Sequence, residues 1–411
     1  MKRNILLIVT VFMLHASIIG ISAKNVFDAV VAQDGTGNFA NIQDAIDAAP
    51  ENSNVPYLIF IKAGRYHEHV LIPENKPYIH LIGQDKKLVR VFDDRVSGGK
   101  NASPVDVAAT MVVHAPNVYI EGITLENSWG TRHNGGPQAL ALYTKKDRIV
   151  VNNCGMLSYQ DTYRTADGLN ERNYVKDCFI EGAVDFIYGQ GNVFFDNCTL
   201  NITRKQGGYI VAPKHGVGTT WGYVLKNTTI TAPENPKDTK VWLGRPWKNA
   251  PKAVFIDTRA EVTIPEKGWC DHMGALPEIF ADYNTVDSEG NAVDLSKRID
   301  LYYKLTENRD TLWGKAKNNI TASEIAKYTV SNVMAGDDGW NPEELCRRPA
   351  APKVMRRGTK LAWKPVENAL GYIVINDDKV VGITTNCQFQ VAVRTGAYDV
   401  KAVSANGTTS M

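Results

Sequence analysis

The chain has 411 residues, 44% of them hydrophobic and 22% charged, values that fit a soluble globular protein with one large and one small folded unit and exclude a fibrous or disordered chain. The formal charge is +2, and Lys2 and Arg3 supply it, so the chain beyond them is neutral and nucleic acid is not expected as a partner. Six cysteines are too few for a disulfide scaffold at this length, and the absence of C-x-x-C or His-x-x-x-His spacing points to no metal and no cofactor.

In chain order, "MKRNILLIVTVFMLHASIIGISA" has a basic start, an apolar run and a small-x-small ending at Ser22-Ala23. That pattern reads as a signal peptide over residues 1–23, and an exported protein, secreted or periplasmic, is expected. The alternative, a membrane anchor, is disfavoured because His15 interrupts a short run, and no later segment is apolar enough to span a bilayer. "NIQDAIDAAP" then places Ile42, Ala45, Ile46 and Ala49 on one helical face ended by Pro50. A helix there would cap an open end of the main fold.

Beyond this segment the chain becomes a series of short strands: "NVYIEGITLEN", "RIVVNNCGMLS", "NYVKDCFIEG", "NVFFDNCTLNI" and "GYVLKNTTIT". Aligning Gly122, Cys154, Cys178, Cys198 and Thr228 gives steps of 32, 24, 20 and 30 residues with no long helices between. A loose repeat of this kind predicts an all-β chain folded as a right-handed parallel β-helix, each repeat one coil. The runner-up, an antiparallel sandwich, lacks the hairpin dipeptides it needs. Cys154, Cys178 and Cys198 read as small apolar core positions, with a Cys178–Cys198 bridge as the alternative.

Composition changes after "GWNPEELCRRPAAPKVMRRG", where Pro349, Pro352 and a basic cluster predict a linker over 347–353 between a main domain of 24–346 and a module of 354–411. The last stretch alternates like antiparallel strands, with Trp363 and Tyr372 as core anchors. It resembles a shortened fibronectin type III module, a small β-sandwich, and reads as a spacer or docking unit.

One carboxylate stands out. "GAVDFIYGQGN" sets Asp185 inside an apolar stretch, where a lone ionised group would be costly. Residues one coil apart stack at about 4.8 Å. Asp161 lies 24 residues before Asp185, and Gln138 lies 23 before Asp161. The spacing predicts Gln138, Asp161 and Asp185 in a row on an outer face, with Gln160 and the aromatics of "LSYQDTYRT" beside them and Arg245 offered by "VWLGRPWKN" between Trp242 and Trp247. Two neighbouring carboxylates do not easily both ionise, and an arginine beside one decides which holds the proton.

With those residues in place the chain resembles the pectin methylesterase (pectinesterase) family. The matching segments, "VAQDGTGNFANIQDAI", "GITLENS", "GGPQALAL", "YQDTY", "VDFIYGQ" and "LGRPWK", run in the family's order from about residue 30 to 345. The resemblance implies a right-handed parallel β-helix and a monomer acting on methyl-esterified pectin (homogalacturonan). It implies Asp185 as nucleophile, Asp161 as general acid/base, Gln138 and Gln160 at the oxyanion, and Arg245 orienting Asp185. Trp247 would line the sugar cleft, with Tyr159, Tyr163 and Tyr188 as further substrate contacts. The chain departs from the family where Tyr163-Arg164 replaces Leu-Tyr and Tyr188 replaces Phe. Rivals on the same fold, a polygalacturonase or a pectate lyase, need other acidic arrangements. A non-catalytic adhesin would need no Asp161–Asp185 pair, and a serine esterase would need G-x-S-x-G.

Overall fold

The computed structural model describes residues 25–411 apart from 101 and 394, so the expected signal peptide lies outside the described residues. The short apolar runs become strands that stack coil on coil into three sheets of ten, seven and eight strands. Their pairings are parallel throughout, which makes the fold a right-handed parallel β-helix. One turn of the coil runs from Ile149–Asn152 through Gly155–Leu157 and Tyr163–Arg164 to Arg172–Lys176.

Stacking puts like residues in contact. Leu81, Ile120, Val151, Val175, Phe195, Leu225 and Phe255 follow one another in register along the ten-stranded sheet and point into a common core. Alternate residues Tyr119, Val150, Tyr174, Phe194, Val224 and Val254 form a second apolar column on the outer face. A parallel sheet with both faces apolar must be covered on both. The helix Val330–Ala335 covers part of the outer column with Val333 and Met334.

The turn between the ten- and eight-stranded sheets repeats. Asn153, Asp177, Asn197, Asn227, Asp257 and Asn284 adopt left-handed backbone with φ between 49° and 55°, which Asn and Asp tolerate better than other side chains. The Asn197 amide donates to Asp177 at 2.6 Å and the Asn284 amide to Asp257 at 2.7 Å, tying successive coils. Cys154, Cys178 and Cys198 each follow such a turn, face the core and are free thiols, so no Cys178–Cys198 bridge forms. The register corrects one alignment. Gly155 pairs with Thr124, so Ile123 and not Gly122 underlies Cys154.

The expected capping helix spans Ile42–Asp47, with Ile42, Ala45 and Ile46 fully buried against the first coils. Its first two amides donate to the Glu68 carboxylate at 2.9–3.1 Å, which satisfies groups that a helix end otherwise leaves bare. Near the other end, Trp269 stacks on Phe280 at 4.3 Å, and a fully buried Arg298–Asp282 pair closes at 2.9 Å.

The C-terminal residues form two three-stranded antiparallel sheets around Leu361, Trp363, Tyr372, Val374 and Val400, with Trp363 and Tyr372 rings 5.1 Å apart. They do not hang from a loose spacer. Within the expected linker, Arg348 pairs with the buried Glu121 and donates to the Thr409 carbonyl at 2.8 Å, while the Thr408 hydroxyl donates to the Arg347 carbonyl. Ile373 and Val403 lie on the same outer apolar surface as Leu58, Phe60 and Ile82. No helix among the described residues is long and apolar enough to cross a membrane.

A chain ended at Arg348 would uncover Leu58, Phe60 and Ile82. Each buried side chain of this size contributes about 1.5–3 kcal/mol, so the midpoint of thermal unfolding is expected to fall by about 5 °C or more, with increased binding of a hydrophobic dye. An unchanged midpoint in calorimetry would mean that the module adds nothing to the stability of the coil.

Candidate active site

The seven-stranded sheet carries the candidate site. Gln160 bridges Val184, and the Asp161 amide donates to the Val184 carbonyl at 3.1 Å, so Asp161 and Asp185 stand in register one coil apart. Both have left-handed backbone, with φ of 62° and 50°. The strand Val184–Gly189 also shifts register against its neighbour between Val184 and Ile187. A bulge re-aims the side chains it contains. Here Phe186 enters the core while Asp185, 7% exposed, points outward to the cleft.

Arg245 comes directly after the strand Lys240–Gly244 and is held by its amide bond to the Val211 carbonyl at 3.0 Å. Its Nε and Nη2 donate to the two oxygens of Asp185 at 2.8 and 2.5 Å, a bidentate charge-assisted pair. The guanidinium also sits over the Tyr209 ring, 4.1 Å from its centroid. Tyr209 was not among the expected residues, although the 24-residue step from Asp161 to Asp185 leads on to it.

Asp161 has no such partner. Burial raises its pKa well above the usual carboxylate range, and the Asp185 carboxylate raises it further. Arg245, Arg164 and the Tyr188 hydroxyl oppose these effects without overcoming them. The pair is therefore split: Asp185 meets a guanidinium, and Asp161 retains its proton.

Gln138 does not complete a straight row. Leu142 pairs with Tyr163, 21 residues on, so a step of 23 overshoots this coil, and the Ala139 amide meets the Gln160 carbonyl at 3.1 Å. Gln138 instead enters through the loop before Leu142, and its Oε1 occupies the space that a Cβ on Gly98 would need. Gly98 is thus sterically required beside that amide. Gln160 Oε1 lies 3.0 Å from the equivalent point on Gly136.

The aromatic expectations divide. Trp247 is half-buried and meets Tyr188 edge-on at 5.6 Å. Tyr188 is only 5% exposed and fills the space between Trp247 and Asp161. Tyr159 is half-buried, and its carbonyl accepts from the Ala183 and Val184 amides. Tyr163 is a correction: it is fully buried inside the coil, with its hydroxyl 3.0 Å from that of Thr144, and is not a cleft residue. Among the described residues, two groups bring ligand-type atoms within 4.8 Å, Cys270 with Asp271 and His272, and His67 with Asp93 and Asp94. Neither contains Asp161 or Asp185.

The arrangement offers an ionised carboxylate fixed by an arginine, a protonated carboxyl beside it, and two amides at the rim. That set suits attack on an acyl carbon with proton delivery to a leaving group. The pectinesterase family profile matches residues 28–337. A pectinesterase of Petunia integrifolia is 27% identical over 326 residues, covering 76% of this chain and 81% of its own. The probable pectinesterase/pectinesterase inhibitor 13 of Arabidopsis thaliana is 30% identical over 325 residues, covering 75% of this chain, which spans 48% of that protein. The solved pectin methylesterase from carrot superposes with a TM-score of 0.62 at 24% identity, over 75% of this chain and 93% of that one.

A carboxyl whose pKa rises on folding binds protons more tightly in the native state, so its contribution to stability falls as pH rises above the ordinary carboxylate value. Asp161→Asn removes that penalty. The variant is expected to unfold at a higher temperature than the wild type at pH 7 and at nearly the same temperature at pH 3, and melting curves at both values check this.

Proposed function

The chain belongs to the pectinesterase family, and from that premise we propose that it hydrolyses galacturonate methyl esters in pectin, releasing methanol and de-esterified pectate. The observation that carries this reading is the unequal pair, with Arg245 bound bidentately to Asp185 and nothing comparable on Asp161. Separated protonation states are what a nucleophile and an acid/base need from two like groups.

In the first step an Asp185 oxygen attacks the ester carbonyl and a tetrahedral oxyanion forms. The side-chain amides of Gln138 and Gln160 donate to it, and each such preorganised donor lowers the barrier by roughly 3 kcal/mol. Asp161 gives its proton to the departing methoxide, leaving an acyl anhydride on Asp185. Asp161, now a carboxylate, takes a proton from water, which attacks the acyl carbon and frees Asp185. Arg245 holds the Asp185 oxygens in one orientation throughout, and Tyr209 fixes the arginine from its other side. Trp247 offers an apolar face to a sugar ring. The leader-like first 23 residues support action outside the cell, and a monomer suffices because every group named comes from one chain.

Methanol release from methylated pectin, with acidification of the medium, is the primary assay. Neither unsaturated-uronide absorbance nor new reducing ends are expected, and chelator should leave the rate unchanged. Absorbance growth that chelator abolishes would replace this reading with a lyase. Asp185→Asn is expected to lower methanol release by about 10³-fold or more, as loss of a nucleophile does. Gln138→Ala should lower kcat by about 10²-fold, the cost of one oxyanion donor. Activity within tenfold of wild type for Asp185→Asn would remove the nucleophile assignment.

A further inference from the structure

The wall of the cleft next to Asp161 carries more positive than negative charge. Arg164 lies over Tyr143 at 4.4 Å and 6.0 Å from the Tyr188 centroid. The Lys248 and Lys214 ammonium groups lie 5.1 and 6.0 Å from the Trp247 centroid. Because Tyr188 touches both Asp161 and Trp247, these three cations border one continuous surface that begins at the acid/base residue.

The carboxylates within this group do not balance it. Asp167 is shared among Arg164 at 3.0 Å, Lys214 at 3.7 Å and Lys145 at 4.0 Å, and it also accepts from the Tyr143 hydroxyl. Asp106 takes Lys145 at 3.3 Å and His114 at 3.5 Å. Arg164, Lys145, Lys214 and Lys248 thus face two carboxylates, an excess of two positive charges. Lys248 is exposed and makes no ion pair among the described residues. Burial and the neighbouring Arg164 and Lys248 lower the pKa of Lys214, so an incoming anion would relieve a real repulsion.

A methyl ester is neutral and gives this charge nothing to bind. The product of the reaction is an anion. We propose that Lys248, Lys214 and Arg164 form a subsite for the carboxylate of an unesterified galacturonate next to the reacting ester, so that the enzyme favours esters flanked by residues already cleared of methyl groups. The inference rests on the esterase reading above and adds the charge state of the neighbouring sugar. A uronate ring placed on Trp247 presents its carboxylate to the ammonium groups beside that ring, and each further ester cleaved creates the feature that the subsite recognises.

Initial rates of methanol release on fully methylated and half-methylated polymer, at low and high salt, test this. For the wild type, kcat/KM should be higher on the half-methylated polymer, and the advantage should shrink between about 20 and about 300 mM NaCl as screening shortens the reach of the cations. In Lys248→Glu the ratio of the two kcat/KM values should fall about tenfold, equivalent to about 1.4 kcal/mol, and Lys248→Ala should lie between. Lys248 is exposed, so folding is not at stake, and Arg164→Gln should lower the ratio in the same direction. A ratio unchanged in all three variants, or a wild type indifferent to methylation at low salt, overturns the subsite while leaving the esterase intact. No methanol from either polymer overturns the esterase reading itself.

Discussion

A parallel coil allows little freedom in what stands above what. Each backbone ladder fixes neighbouring strands about 4.8 Å apart, so a residue type recurring at one phase of the coil is forced into contact with its own kind. Inside, this gives the column from Leu81 to Phe255, and at the turns it gives the Asn and Asp ladder with its amide bonds. On the outer face of the seven-stranded sheet the same rule presses Asp161 against Asp185. Apolar columns gain from such contact and amide ladders gain from it. Two carboxylates do not, and the arrangement persists because one of them is neutralised by a proton and the other by Arg245.

The asymmetry between the two is built from unlike sources. Arg245 comes from a strand two coils beyond Asp185 and reaches back over it, while Tyr209, from the coil between, supports the guanidinium from below. Asp161 lies on the other side of Asp185, where burial dominates and only Arg164 adds a nearby cation besides Arg245. The order along the coil therefore decides which carboxyl keeps its proton. Exchanging the two positions would exchange the roles. The left-handed backbone at both residues belongs to the same design, since it turns short side chains out of a strand whose next residues must fill the core.

Much of this is legible in the sequence because coil length is written as spacing. The 24-residue step places Asp161 and Asp185 in contact, and the apolar face of Ile42, Ala45 and Ile46 marks the capping helix. The step to Gln138 fails because coils differ in length, and nothing in the local residues reveals that this one is 21 long. Tyr163 is misplaced for a different reason. Alternation counted from the outward Asp161 puts Tyr163 outward as well, but left-handed backbone at Asp161 breaks the alternation and sends Tyr163 inward. The docked position of the last 60 or so residues does leave a trace in the sequence: Tyr372, Ile373, Val374 and Ile375 are apolar on both faces of their strand, as a sheet buried on two sides requires.

The covering of the ten-stranded sheet has a consequence for the order in which the molecule assembles. Its first strands, which carry Leu58, Phe60 and Ile82, meet their outer neighbours Ile373 and Val403 only across some 300 residues of intervening chain, and Gly371 packs directly against Val26. During synthesis the coil is able to wind from its capped end as each strand emerges, because each needs only the one before it. The outer apolar strip, however, stays bare until nearly the last residue has been made. A nascent chain of this kind carries a sticky seam for most of its elongation, and its seal is the final piece added, so a product cut short on the ribosome leaves with its coil wound and its seam open.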